Sequence, residues 1–106
     1  MASTPRMTIP TQRVLGVLLE DHEAYGAEIG SRAHLPSGTV HPILARLEGL
    51  GWATSRWENI EPSVEGRPPR RYYRLTADGR AGAQAALARA YRPAASRSGR
   101  PARGMS

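Results

Sequence analysis

The chain contains no cysteine and no lysine. It has no apolar run approaching the roughly 18 to 20 residues that cross a bilayer, and no charged-then-apolar start ending in a small-residue cleavage site. The missing cysteine removes disulfides, thiolate metal sites and cysteine nucleophiles. The missing apolar run and leader give the expectation of a soluble, cytoplasmic protein without a membrane partner. Enzyme signatures are also lacking. There is no nucleotide-binding glycine loop, no metal-ligand spacing among His22, His34 and His41, and no recognisable serine, histidine and acid set. The acids Glu20, Asp21 and Glu23 cluster where a solvated turn explains them. No catalytic role, cofactor or metal is therefore expected.

What is present is a basic chain of 106 residues, with 15 arginines against 9 acids and a formal charge of +6. This length suits one compact domain, and the basic excess suggests a polyanionic partner, nucleic acid first. Two explanations compete for the exclusive use of arginine. One is its planar donor fork at phosphates and guanines; the other is a GC-rich genome, favoured by the uniformity of the substitution and by 16 alanines.

Residues 1–9 lack periodicity and read as a flexible arm. From Thr11 to Glu20, Val14, Leu15, Val17, Leu18 and Leu19 form the apolar side of a helix, with Pro10 in its first turn. Ala24 to Ala33 reads as a second helix carrying Tyr25, Ile29 and Ala33 on one face. Ser37 is placed to cap a third helix whose core side is Val40, Ile43, Leu44, Leu47 and Leu50, ended by Gly51. The period then changes. Trp52 to Trp57 and Arg71 to Leu75 read as strands around a loop from Glu58 to Arg70. Thr76 caps a C-terminal helix over 77–92 that stops at Pro93, and residues 93–106 read as a disordered arginine-rich tail. The fold expected is mainly α with a small β-hairpin: a winged helix-turn-helix over 10–76, with three helices and a two-stranded wing, followed by a C-terminal dimerisation helix.

The outer face of the third helix is small and hydrogen-bonding. Ser37, Gly38, Thr39, His41, Pro42 and Arg46 are its candidate DNA contacts. The free helix N-terminus attracts phosphate, and only Arg46 has the fork for bidentate guanine readout. In the wing, Arg67, Arg70 and Arg71 are candidates for phosphate or minor-groove contact, on a tip stiffened by Pro68 and Pro69. The competing reading is a solvated hairpin whose arginines pair with Glu58, Glu61 and Glu65.

The run Leu35-Pro36-Ser37-Gly38-Thr39-Val40-His41-Pro42-Ile43-Leu44-Ala45-Arg46-Leu47-Glu48, followed by Gly51-Trp52, resembles the recognition-helix signature of PadR-like transcriptional regulators. Tyr25-Gly26 with Glu28-Ile29 upstream, and Gly66-Arg67-Pro68, Arg71-Tyr72-Tyr73 and Leu75-Thr76 downstream, resemble that family's other motifs. The likeness covers about residues 10–92. It implies a homodimeric winged-helix repressor on a partly palindromic operator, with Tyr25 joining the DNA-contacting set, and in some members release of DNA on binding a small molecule. Two departures stand out. His41 occupies a position usually tyrosine, so a phosphate contact there differs in length and pH dependence. The C-terminal region is short, as in the family's smaller branch, so a single helix must dimerise.

That helix is alanine-rich, and Ala81, Ala85, Leu87, Ala88 and Tyr91 are its candidate dimer contacts, matching a two-fold operator. It lacks the tryptophan with which some small relatives trap flat aromatic compounds, so an effector stays unknown. Trp52 reads as core, and Trp57, five residues on, as facing the opposite way. A winged-helix module that binds protein, or an anti-repressor that heterodimerises with a longer relative, is the alternative function. The charge itself is unevenly placed: residues 1–88 hold ten arginines and nine acids, whereas residues 89–106 hold five arginines and no acid.

Overall fold

The computed structural model describes residues 4–91. The elements run α1 (Ile9–Glu20), β1 (Ala24–Tyr25), α2 (Gly26–Ala33), α3 (Ser37–Gly49), β2 (Ala53–Trp57), α4 (Pro62–Glu65), β3 (Arg71–Leu75) and α5 (Ala77–Tyr91). This is a mainly helical winged helix-turn-helix with a small antiparallel sheet. The sheet has three strands rather than two, in the order β1-β3-β2.

The difference lies at Ala24 and Tyr25, expected as the start of the second helix. Tyr25 is extended at φ −95° and ψ 162°. It pairs with Tyr72 while Ala24 pairs with Tyr73. Helical spacing placed Tyr25 with Ile29 and Ala33, but backbone pairing along the open edge of β3 takes precedence. Ile29 and Ala33 are buried as expected. The loop between β2 and β3 contains the short helix α4, also unforeseen.

Helix α1 begins at Ile9, inside the segment expected as an arm. The side chain of Thr8 accepts from the Thr11 amide at 3.3 Å, and Met7 already packs against the core. Ser37 does not cap α3. Pro36 holds the cap position in an extended conformation, and its carbonyl accepts from Thr39 and Val40 at 2.9 and 3.1 Å, which leaves Ser37 within the first turn. Thr76 does cap α5: its hydroxyl accepts from the Gly79 amide at 2.9 Å and donates to the Gly51 carbonyl at 2.8 Å. The arginine-rich tail expected over 93–106 lies outside the described residues.

One apolar core joins all the layers. Val14, Leu15 and Leu18 of α1, Ile29 of α2, Val40, Leu44 and Leu47 of α3 are completely inaccessible. Burying each of the larger aliphatic side chains contributes about 1.5–3 kcal/mol. The tight turn between α2 and α3 needs Gly30, because a Cβ there would sit 2.9 Å from the Leu35 carbonyl oxygen. Trp52 is core, at 5% exposure, and its backbone is the floor on which α5 rests.

The acids between α1 and β1 are ion-paired rather than simply solvated. Arg32 meets Glu20 at 2.6 Å and also Asp21, tying the end of α1 to α2. Arg56 donates twice to Glu23, each at 2.7 Å, tying β2 to the entry of β1. The Arg56 fork holds the Glu23 carboxyl below the usual carboxylate range.

Candidate nucleic-acid interface

Because Val40, Ile43, Leu44 and Leu47 face inward, α3 turns its remaining side outward. Gly38, His41, Pro42, Ala45, Arg46 and Gly49 are all exposed, at the three- and four-residue spacings of one helix face. Ser37 is exposed and Thr39 half-buried at its N-terminal end. Pro42 has no N–H to give to the helix, so the Gly38 carbonyl loses its helical donor and stays available to an outside one. Among the described residues Arg46 has no ion pair.

His41 is where this face meets the wing. A groove of about 390 Å³ runs between them, lined by Tyr25, Gly26, Ala27, His41, Trp57, Arg70, Arg71 and Tyr73. Four of the expected contacts, Tyr25, His41, Arg70 and Arg71, are therefore brought together. The Arg70 guanidinium lies 4.3 Å from the centre of the Tyr25 ring, and that ring meets Tyr72 edge-on with centroids 5.5 Å apart. The tyrosine thus holds the arginine through its ring face.

Arg71 is tied to α3 as well as to the wing. Its Nε donates to the Ser55 hydroxyl at 2.9 Å, and its Nη2 lies 3.5 Å from Glu48 Oε2. Ser55 donates in turn to Glu48 at 2.6 Å. This chain of contacts links the third helix to both strands of the hairpin. The Arg71 guanidinium also lies 5.5 Å from the Trp57 ring, which is its register partner across the hairpin.

Arg67 is arranged differently. Its two terminal nitrogens donate to the two carboxylate oxygens of Glu58, at 2.7 and 3.0 Å. It follows the alternative in which a wing arginine pairs across its own loop. The Glu58 carboxyl is held down to about 2, first by Arg67, then by the Arg70 amide.

Trp57, 62% exposed, together with Tyr73 and Glu58, belongs to this region although none was a site candidate. The signal for Trp57 was present in its hairpin register opposite Arg71. Glu58 stood only among three acids, with Glu61 and Glu65, that the wing arginines could pair with, and nothing local singles it out, since Arg67 lies nine residues away across the loop. On α5, Ala83 and Ala86 face the chain's own core, whereas Ala81, Ala85 and Ala88 are exposed and Leu87 is half-buried. The side chain of Tyr91 lies outside what the structure describes. Among the described residues no group of His, Asp or Glu is arranged to hold a metal ion, and no helix is long and apolar enough to cross a membrane.

A helix-turn-helix followed by a winged antiparallel sheet, with a polar helix face and arginines at the wing, defines the winged-helix class of transcription regulator. The chain belongs to the PadR-like family of transcriptional regulators, whose model matches residues 14–85. The family is one of transcription factors, not enzymes. No curated protein matches the sequence. Among solved structures, a MarR family protein of Mycobacterium tuberculosis, Rv2887, is 28% identical with a TM-score of 0.57, over 77% of this chain and 53% of that one. Reduced AbfR bound to DNA is 26% identical with a TM-score of 0.62, over 76% of this chain and 54% of the other. The MarR family regulator SPO1453 from Silicibacter pomeroyi DSS-3 shares the fold at 23% identity and a TM-score of 0.59, over 78% of this chain and 54% of its own. The chain thus spans little more than half the length of these structures.

Proposed function

We propose that this protein is a sequence-specific DNA-binding repressor that acts in the cytoplasm as a homodimer on a partly palindromic operator. The observation that carries the reading is the meeting of the polar face of α3 with Arg70 and Arg71 at His41, in one open groove. In this reading α3 enters the major groove. Ser37, Gly38 and Thr39 bring the helix N-terminus to a phosphate, His41 and Pro42 pack along the backbone, and Arg46 reads guanine. Tyr25, Arg70 and Arg71 follow the adjoining backbone. The AbfR complex supports DNA as the partner.

The exposed alanines Ala81, Ala85 and Ala88 recur at helical spacing, and small side chains allow two helices to approach closely. A two-fold pairing through them, with Leu87 and Tyr91, would set two α3 helices for half-sites one turn, roughly 34–36 Å, apart.

A mobility-shift titration against the protein's own upstream region, at two salt concentrations, tests the reading. Wild type should give a saturable shift that weakens steeply with salt. Arg46→Ala should lose discrimination between that region and random duplex, while Arg70→Ala should weaken both. Equal affinity of wild type for the two duplexes would defeat sequence-specific binding. A monomer in sedimentation at micromolar concentration, with and without DNA, would defeat the dimer.

A further inference from the structure

Across the hairpin, the pairing of β2 with β3 ends at Trp57 and Arg71, but the chain makes one more rung. The Glu58 amide donates to the Arg70 carbonyl at 2.7 Å. The return bond, which a regular ladder would take from the Glu58 carbonyl, is taken instead by its side chain: the Arg70 amide donates to Glu58 Oε1 at 3.2 Å. The same carboxylate receives the fork of Arg67. Arg67 Nη1 also lies 3.3 Å from the Pro68 carbonyl, closing the turn before Pro69. One half-buried carboxylate therefore joins the first residue of the loop to two arginines near its far end.

From this geometry we infer that Glu58 is a positioning residue for DNA binding: with Arg67 as its brace it fixes the backbone of Arg70, so that Arg70 and not Arg67 is the wing arginine presented to phosphate. The inference rests on the DNA-binding reading above. Its physical basis is the cost of ordering. A thirteen-residue loop, Glu58 to Arg70, that had to settle on contact would lose conformational freedom at that moment, and a loop already clamped loses little. The Tyr25 ring then holds the far end of the Arg70 side chain, so both its backbone and its guanidinium are set before DNA arrives. Arg67 has both terminal nitrogens occupied and is worth less as a phosphate ligand while Glu58 holds it.

The sign of the Glu58→Gln effect separates positioning from plain electrostatics. A carboxylate near DNA repels phosphate, so its removal should tighten every complex if repulsion is its only role. If it positions Arg70, removal weakens the specific complex. The full chain is titrated by fluorescence anisotropy, over a salt series, with a duplex selected by wild type from a random library and with its scrambled counterpart. Glu58→Gln and Arg67→Gln should each weaken the selected duplex by about three- to tenfold. The double substitution should weaken it no further, and Arg67→Gln and the double substitution should keep the wild-type salt slope. Arg70→Ala should lower that slope by about 0.9 per protomer, one phosphate contact from each. Glutamine keeps an oxygen for the Arg70 amide, so the fold should survive, and thermal unfolding reads this directly. If Glu58→Gln fails to fold, Arg67→Gln on the exposed loop decides through its salt slope alone. Tighter binding of both duplexes by Glu58→Gln, or an Arg67→Gln slope lowered like that of Arg70→Ala, overturns the inference. If no duplex is selected by wild type, the DNA reading itself has failed, which is seen before any substitution is made.

Discussion

Arg67 and Arg70 stand three positions apart in one loop, carry the same charge, and read alike in sequence, yet their environments divide them. Arg67 is spent on Glu58, and Arg70 is stacked on Tyr25 with no carboxylate partner among the described residues. Sequence spacing resolves neither fact, because Glu58 to Arg67 spans a loop whose path is set by α4, and Tyr25 reaches Arg70 only through the β1–β3 pairing. The outward face of α3 was legible, since helical period alone separates Arg46 and His41 from Leu44 and Leu47. The Glu58 pairing makes a pH prediction. A carboxyl whose ordinary value is 4.5 titrates at about 2 when Arg67 and the Arg70 amide hold its charged form. Its contribution to closing the wing is therefore complete above about 4.5 and is lost as pH falls from there through about 2. A ¹³C titration of the Glu58 carboxyl in the folded protein should show this low midpoint in wild type and a return toward 4.5 in Arg67→Gln. A wild-type midpoint at the ordinary value would mean the ion pair does not persist in solution.

At the scale of elements, the long apolar periods of α1 and α3 and the cap of α5 were readable because each is a local pattern of several residues. The two-residue strand β1 and the four-residue α4 were not. Neither is long enough to show a period, and β1 exists only because β3 offers it an edge. The seating of α5 was equally hidden. Gly79 lies so close to Trp52 that a Cβ would overlap the tryptophan carbonyl, and at Gly82 a Cβ would meet the indole ring at 2.5 Å. The Trp52 carbonyl also accepts from the Thr76 amide at 3.0 Å, so the strand exit is bonded to the same carbonyl against which the first turn of the helix packs. Gly79→Ala should therefore destabilise the protein by about 1–3 kcal/mol, a fall in Tm of roughly 4–8 °C for each kcal/mol. Gly16, in the middle of α1, has open space where a Cβ would stand. Gly16→Ala should stabilise by about 0.5–1 kcal/mol through helix propensity and a less flexible unfolded chain. Thermal unfolding of the two variants checks both signs, and a neutral Gly79→Ala would show that α5 is not seated against Trp52.

For the whole molecule, the charge of +6 is a poor guide to where recognition lies. Within residues 1–88 the arginines and acids nearly balance, and several of those arginines answer acids of the same chain: Arg32, Arg56 and Arg67 have ion-pair partners at 2.7 Å or closer. The cations left without carboxylate partners near His41 are few, so specificity depends on their placement and not on their number. The arginines after residue 88 have no acid among them, and their contribution to DNA binding should be attraction without discrimination. Removing residues 93–106 takes away Arg97, Arg100 and Arg103. The salt slope of binding to random duplex should fall by up to about three per protomer, since each neutralised phosphate contributes roughly 0.9. Affinity for the selected duplex should drop by the same factor at each salt concentration, leaving the ratio of selected to random affinity unchanged. Anisotropy titrations of both duplexes over a salt series measure slope and ratio together. A ratio that collapses on truncation would place sequence recognition in the C-terminal segment and take it away from α3 and the wing.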